Sequence, residues 1–197
     1  ARSRLAYEEL LAMQLGILRE RAQRKASESG RRHVVDGPLL ARFRAGLPFC
    51  LTRGQERAVG DVLDDMALGR PMLRLLQGDV GCGKTLVALH ALVVAADGGY
   101  QTAIMAPTEV LAEQHGLTMA RLLEPLGLRV DILTGSTSDG HEARARVASG
   151  ETHVVVGTHA LIQESTVFAR LGLAVIDEQH RFGVLQRNAL GVKGEWP

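Results

Sequence analysis

Residues 78–85 contain the sequence pattern that most restricts how this chain can fold. The segment reads Gly-Asp-Val-Gly-Cys-Gly-Lys-Thr and matches the pattern G-x-x-x-x-G-K-[ST] at every fixed position. An apolar run at 73–76 precedes it and predicts a buried strand, and a longer apolar run at 86–96 predicts a buried helix. A strand, a glycine-rich loop and a helix in this order predict a phosphate-binding loop. The alternative is a plain glycine-rich turn with an exposed lysine.

The chemistry of a polyphosphate explains the residue types in this loop. Glycines let successive backbone N–H groups turn towards one anion without Cβ clashes, and a helix that begins near Gly83 adds the positive end of its dipole. Lys84 can reach the β- and γ-phosphates, and Thr85 can offer its hydroxyl to Mg²⁺. We therefore predict an ATP and Mg²⁺ site in which Lys84 is also catalytic. Its nucleotide-binding residues would be Gly78, Val80, Gly81, Cys82, Gly83, Lys84 and Thr85.

Length and composition limit the class of protein. The 197 residues suffice for one α/β domain with an appendage, and a hydrophobic content of 46% supports a sizeable core. No apolar run reaches the roughly 18 residues of a membrane helix, and the charged N-terminus does not resemble a signal peptide. Two cysteines, Cys50 and Cys82, do not make a disulfide framework. We therefore expect a cytoplasmic protein with no membrane partner.

Helical and strand-like patterns alternate along the chain. Helices are predicted at 4–26, 38–44, from 53 to a stop near 69, and at 86–96, 108–124 and 139–148, with a helical turn at 158–163. Strands are predicted at 73–76, 101–106, 128–133, 153–157 and 171–176. Such alternation predicts an α/β fold, with a mostly parallel sheet and helices on both faces.

Two segments of unequal charge suggest a division of the chain. Residues 1–45 carry ten Lys/Arg against five Asp/Glu, whereas residues 46–197 have a net charge of −4. We predict an N-terminal helical lead-in over 1–45 and a nucleotide-binding lobe over 46–197. The lead-in either contacts nucleic acid or presents a solvated basic face. Its apolar residues recur at helical spacing, and we predict that three of them pack on the lobe: Leu11, Leu15 and Leu18.

An acidic pair follows the strand predicted at 171–176, where parallel folds gather their functional residues. An Asp in the position of Asp177 holds Mg²⁺ in proteins with a phosphate-binding loop. The adjacent carboxylate of Glu178 can accept a proton from the water that attacks the γ-phosphate. We predict that Asp177 and Thr85 serve the metal and that Glu178 is catalytic. Two acidic residues that simply end a strand are the alternative.

Longer strings carry a family resemblance. Together with the loop, residues 77–81, 105–115, 156–163 and 177–184 resemble superfamily 2 helicases and translocases, and within them the RecG family of bacterial DNA helicases. The resemblance covers essentially the whole chain. It implies a RecA-like P-loop NTPase lobe of an ATP-hydrolysing motor. Such a motor remodels branched DNA, including stalled replication forks and Holliday junctions, in recombination and repair.

The resemblance also implies roles for residues outside the loop. Phe49, Thr52 and Gln55 match a motif that binds adenine, although Thr52 and Gln55 are also spaced as a capping box that opens the helix at 53. Contacts to the DNA backbone position a protein on DNA but do not read the base sequence. They are implied for Thr108, Gln114, Thr134, Gly135, Thr158 and His159.

Some parts of the family's motor do not occur in residues 1–197. These are the Ser/Thr-Ala-Thr coupling motif, the second RecA-like lobe with its arginine finger, and the wedge domain that recognises branched DNA. We therefore expect a fragment that is nearly inactive alone, because an arginine finger is worth about 10³–10⁵ in rate. Two other interpretations stay open. One is the motor lobe of the transcription-repair coupling factor, and the other is a stand-alone nucleotide-binding module.

Overall fold

The protein folds around a parallel sheet. A computed structural model describes residues 2–27, 30–137, 140–183, 186, 189–190 and 193 of the chain. Its strands are β1 (Gln101–Met105), β2 (Val130–Leu133), β3 (Val154–Gly157) and β4 (Leu171–Ile176). Their spatial order is β2-β3-β1-β4, and every neighbouring pair is parallel. The predicted α/β class with a parallel sheet is confirmed.

Helices occur where the apolar spacing predicts them, with ends displaced by a few residues. The described part of the chain contains α1 (Arg2–Ser27), α2 (Pro38–Ala45), α3 (Arg53–Met66), α4 (Lys84–Asp97), α5 (Glu109–Leu123) and α6 (Gly140–Ser149). Short 3-10 turns cover Glu124–Leu126, His159–Ile162 and Gln179–Arg181. The first residue of the helix predicted at 139–148, Asp139, lies outside the described residues.

Both faces of the sheet are covered by apolar clusters. Successive side chains on a strand point to opposite sides, so neighbouring residues enter different clusters. Ile104 on β1 belongs to an apolar cluster formed with α2, α3, α4 and α5. Its neighbours Ala103 and Met105 belong to a second cluster formed with α6 and the chain after β3. Helix α4 is the most deeply buried helix of the first cluster, and its Leu92 and Val93 have no exposed surface.

The strand predicted at 73–76 is wrong. Residues 71–79 adopt no regular structure, and Leu73 and Leu75 are 93% and 66% exposed. A strand is stable only when a neighbour accepts and donates its backbone hydrogen bonds. Within the described residues, β4 at this end of the sheet order pairs with β1 alone. The apolar run indicated burial but could not identify a neighbouring strand. The phosphate-binding loop is therefore preceded by irregular chain.

The predicted packing of α1 on the lobe is also wrong. Leu11, Leu15 and Leu18 are 44%, 57% and 55% exposed. Helical spacing reveals an apolar stripe but cannot say which surface covers it. The chain after the helix contacts the lobe, where the Gly30 N–H donates to the Gly69 carbonyl at 3.2 Å. A Cβ at Gly30 would lie 2.0 Å from the Arg70 backbone, so this approach requires glycine.

Helix α2 shares the core of the lobe. Its Leu40 and Phe43 are buried in the first cluster, and Phe43 meets the ring of His90 on α4 edge-on at 5.1 Å. The boundary predicted at residue 45 stays a prediction. Residues of α2, which lie before this boundary, pack in the same core as residues of α3 and α4, which lie after it.

Candidate functional site

The phosphate-binding loop ends on helix α4, as its sequence predicts. Gly83 is the N-cap of α4, with φ 84°, and Gly81 has φ 80°. Both angles lie in the left-handed region that favours glycine. A Cβ at Gly83 would lie 2.4 Å from the Gln55 side-chain nitrogen, so a larger residue there would also displace the end of that side chain. Left-handed residues of this kind occur in loops whose backbone N–H groups bind an anion.

Lys84 closes the loop on itself. Its Nζ donates to the carbonyl oxygens of Gly78 and Asp79, both at 2.9 Å. Hydrogen bonds from an ammonium to phosphate oxygens are stronger than bonds to neutral carbonyls. A polyphosphate could therefore replace these two acceptors without a large movement of the lysine.

Gln55 connects the start of α3 to the phosphate-binding loop. Its Oε1 accepts the Thr52 N–H at 2.9 Å, and Thr52 Oγ1 accepts the Gln55 N–H at 3.3 Å. The predicted capping box is confirmed. The Gln55 Nε2 donates to the Cys82 carbonyl at 2.9 Å, so the same side chain also holds the loop.

A cavity of about 410 Å³ lies beside the start of α3. Phe49 lines it with a ring that is 53% exposed. Thr52 and Gln55 are not among its lining residues. An exposed aromatic ring beside a cavity can stack on a planar base. The remaining lining residues are Arg44, Leu47, Pro48, Cys50, Leu51 and Glu56.

Asp177 is held as an ionised carboxylate immediately after β4. Its Oδ2 accepts from His115 Nε2 at 3.0 Å, and its Oδ1 accepts the Glu178 N–H at 3.0 Å. The hydrogen bond from His115 keeps the pKa of Asp177 below its usual value, against the opposing effect of burial. The positive charge of Lys84 lowers the same pKa further. An ionised carboxylate is an oxygen ligand of the kind that Mg²⁺ prefers.

Glu178 has a backbone conformation that the sequence did not reveal. Its φ and ψ are 48° and 50°. Among the described residues other than glycine, Glu178 alone has a positive φ. Such left-handed residues are uncommon and concentrate at functional sites. Because β4 ends at Ile176, Glu178 and Asp177 are not forced to opposite faces of a strand.

Five of the six residues predicted to contact DNA follow the ends of three parallel strands, so they share one edge of the sheet with Asp177, and Gln114 lies within α5. Thr108 is the N-cap of α5, and its Oγ1 accepts the Leu111 N–H at 3.3 Å. Gln114 is exposed on the same helix, and His159 is exposed after β3. This arrangement brings the nucleotide and DNA candidates onto adjoining loops.

Two of these residues are less accessible than the prediction required. Thr134 is 4% exposed, and its hydroxyl lies 2.9 Å from that of Thr137. Thr158 is 7% exposed. The Gly135 N–H already donates to Glu109 Oε1 at 2.9 Å. The predicted DNA roles of these positions stay predictions.

Sequence reasoning missed His115 and Glu109. Both lie within the string 105–115 that carried the family resemblance, but neither was given a role. Glu109 accepts from Gly135 and Ser136 after β2, and His115 donates to Asp177 after β4. Each contact joins residues at least 26 positions apart, so only the topology of the sheet brings the partners together.

Comparison with known proteins identifies the class. A sequence profile described as DEAD/DEAH box helicase matches residues 52–191, which is most of the chain. The chain therefore belongs to the DEAD/DEAH box helicase family.

Its relatives carry a more specific name. The chain is similar to the ATP-dependent DNA helicase RecG of Synechocystis sp., with 49% identity over 100% of this chain and 24% of the relative. RecG of Acidithiobacillus ferridurans is 50% identical over 98% of this chain and 28% of the relative. The predicted resemblance to the RecG family is confirmed, and the chain spans about a quarter of the length of these curated relatives.

A solved structure agrees with the sequence comparison. The structure of RecG bound to a three-way DNA junction superposes with a TM-score of 0.83 and 43% sequence identity. The match covers 93% of this chain and 25% of that chain. The fold of the lobe is therefore that of one part of a RecG protein.

Proposed function

We propose that this chain is the ATP-binding lobe of an ATP-dependent DNA helicase that remodels branched DNA, such as stalled replication forks and Holliday junctions, in recombination and repair. The observation that carries the proposal is the backbone of the phosphate-binding loop, in which Gly81 and Gly83 have left-handed φ angles and Lys84 begins α4. Asp177, at the end of β4, adds a carboxylate that His115 holds by a hydrogen bond of 3.0 Å. A loop for phosphates and a carboxylate for a divalent cation are the two parts that a site for Mg-ATP needs.

Each residue of the nucleotide site has its own role in this proposal. The backbone N–H groups of 80–85 and the Lys84 ammonium bind the phosphates of ATP. Phe49 stacks on the adenine while Gln55, from its position at the loop, binds the edge of the base. When bound, Mg²⁺ neutralises charge on the phosphate oxygens, and Thr85 and Asp177 offer the oxygen atoms that hold it. Glu178 accepts a proton from the attacking water.

DNA lies along the edge of the sheet where the strands end. Thr108, Gln114 and His159 present exposed polar groups there and bind backbone phosphates. Thr134 and Thr158 are buried, so we propose that they shape their loops while exposed neighbouring residues, including Gly135, meet the DNA. Phosphate contacts of this kind position the lobe without reading sequence.

Other parts of the same protein complete the motor in this proposal. A second RecA-like lobe supplies the arginine finger, and a wedge domain recognises the branch. The short span of the chain relative to the RecG proteins supports this view, and the names of those relatives favour it over the transcription-repair coupling factor. No helix in the described part of the chain is long and apolar enough to cross a bilayer. We propose that the protein acts in the cytoplasm, where its two free thiols would stay reduced.

Unwinding of forked DNA by the full-length protein tests the function. With ATP and Mg²⁺ we expect separation of forked and Holliday-junction substrates, and loss of this activity in Lys84→Ala. Arg121→Ala removes an exposed cation in the last turn of α5 and is the matched control. Unwinding that survives Lys84→Ala but needs ATP would place the nucleotide elsewhere.

A further inference from the structure

The imidazole of His115 on α5 contacts the carboxylate proposed to hold Mg²⁺. Its Nε2 lies 3.0 Å from Asp177 Oδ2. An ionised carboxylate can only accept hydrogen bonds, so Nε2 carries the proton and donates it. The two side chains are 20% and 34% exposed. Partial shielding from water makes this contact stronger than a pair on the open surface.

Both oxygens of Asp177 have a donor. His115 holds Oδ2, and the Glu178 N–H holds Oδ1 at 3.0 Å. Glu178 itself has the left-handed backbone described above. A displacement of the imidazole would therefore turn the Asp177 carboxylate and disturb the backbone of the proposed base at the same time.

The same helix carries proposed DNA-binding positions. Thr108 caps α5, and Gln114, adjacent to His115, is exposed. The Glu109 carboxylate accepts the Gly135 N–H at 2.9 Å and the Ser136 hydroxyl at 2.6 Å, which ties the start of α5 to the loop after β2. A phosphate bound at these loops would act directly on α5.

Close packing keeps α5 in one position on the sheet. A Cβ at Gly116 would lie 2.4 Å from Ile132 Cδ1 on β2, so the helix backbone touches the side chain of a sheet residue. Tightly packed contacts transmit displacement rather than absorb it. A movement of the DNA-facing end of α5 would consequently reach His115, which lies next to Gly116.

We propose that His115 is a positioning residue that couples DNA contact on α5 to the use of Mg-ATP at Asp177. It acts through Asp177 and touches neither the nucleotide nor the DNA. The proposal rests on the function proposed above, since Asp177 must serve the metal and α5 must contact DNA.

The test uses the full-length protein and four variants. His115→Leu removes the donor, and His115→Gln keeps an N–H at similar reach. Glu113→Gln changes an exposed residue of the same helix and is the matched control. Lys84→Ala reports on the nucleotide site itself. ATP hydrolysis is measured against Mg²⁺ concentration with and without forked DNA, and DNA affinity is measured without nucleotide.

The expected results distinguish an effect on the Mg²⁺ requirement from an effect on DNA affinity. His115→Leu should need about tenfold more Mg²⁺ for half-maximal hydrolysis, the lower end of the loss seen when a partner of a metal ligand is removed. Its stimulation by DNA should fall, while its affinity for DNA without nucleotide stays unchanged. His115→Gln should recover most of both properties, and Glu113→Gln should match the parent. If His115→Leu does not fold, His115→Asn replaces it, because its shorter amide does not reach Asp177.

Three outcomes would overturn the inference. The first is an unchanged Mg²⁺ requirement and unchanged DNA stimulation in His115→Leu. The second is an equal defect in His115→Leu and His115→Gln, which would exclude the hydrogen bond as the cause. The third is a loss of DNA affinity alone, which would make His115 part of the DNA surface. Normal hydrolysis by Lys84→Ala would instead show that the proposed function has failed.

Discussion

The side-chain amide of Gln55 donates to the Cys82 carbonyl at 2.9 Å and thereby joins the first turn of α3 to the phosphate-binding loop. Its oxygen accepts the Thr52 N–H at 2.9 Å in the capping box. One side chain therefore stabilises a helix end and fixes the loop that is proposed to bind phosphate. These two roles can be separated by substitution.

Gln55→Ala removes both contacts, whereas Gln55→Glu keeps an oxygen for the Thr52 N–H and loses the donor to Cys82. We expect Gln55→Ala to lower the free energy of unfolding by about 1 kcal/mol, the usual cost of a lost cap, and Gln55→Glu to cost less. Both should weaken Mg-ATP binding. Urea unfolding and equilibrium nucleotide titration measure the two effects. Parental nucleotide affinity in both variants would leave Gln55 with a capping role only.

Substitutions of Lys84 and Glu178 should have different effects on nucleotide affinity and turnover in the full-length protein. Lys84→Ala removes a phosphate ligand, so nucleotide affinity and turnover should both fall. Glu178→Gln keeps the shape of the side chain but cannot accept a proton, so it should bind ATP and lose about 10²–10⁴ in kcat. Nucleotide affinity and steady-state hydrolysis measured on the same preparations decide this. Normal turnover by Glu178→Gln would exclude Glu178 as the base.

Alkylation of the two exposed cysteines can map the bound nucleotide. Cys82 lies in the loop, so Mg-ATP and inorganic tripolyphosphate should both slow its alkylation. Cys50 lines the cavity beside Phe49, so only a ligand that contains the base should protect it. Mass spectrometry gives the rate at each thiol. If tripolyphosphate leaves the Cys82 rate unchanged, the phosphates do not bind on this loop.

Arg146 should stabilise the lobe through Asp131. Asp131 is 8% exposed and accepts from Arg146 Nη2 at 2.6 Å and from the Thr152 hydroxyl. Burial alone would raise the pKa of Asp131, but these hydrogen bonds outweigh it and hold the pKa below its usual value. We expect Arg146→Met to lower the free energy of unfolding at pH 7 by about 2 kcal/mol, as for a hydrogen bond to a charged group.

The pH dependence of that loss follows from the direction of the shift. A carboxyl whose pKa is lower in the folded state contributes stability above its unfolded pKa of about 3.9, and loses it as the pH falls through the folded value. The difference between parent and Arg146→Met should therefore shrink in acid. Arg121→Met, at an exposed site, is the control for urea unfolding at each pH. A difference that stays constant down to pH 3 would contradict the ionised pair.

The sequence predicted those features whose cause is local. The pattern over 171–176 matches β4 residue for residue, and the spacing of Thr52 and Gln55 identified a capping box that forms. Glycines in the loop matched the backbone angles at Gly81 and Gly83. In each case the physical reason lies within a few residues of chain.

Features that depend on distant partners were missed or wrong. The run at 73–76 has the apolarity of a strand, but pairing decides whether a strand forms, and α1 has an apolar stripe whose cover the pattern cannot identify. His115 reaches Asp177 across 62 positions of sequence. The left-handed backbone of Glu178 likewise depends on how β4 ends against its surroundings. Topology, rather than composition, decides such contacts.

ATP hydrolysis by the 197-residue chain and by the full-length protein, each with and without forked DNA, tests the central claim most directly. The proposed function predicts that the chain alone binds Mg-ATP weakly and hydrolyses little. It predicts that the full-length protein hydrolyses ATP faster when DNA is added and that Lys84→Ala abolishes this stimulation. Strong DNA-stimulated turnover by the chain alone, or unchanged turnover in full-length Lys84→Ala, would contradict the assignment of this chain as the ATP-binding lobe of a larger motor.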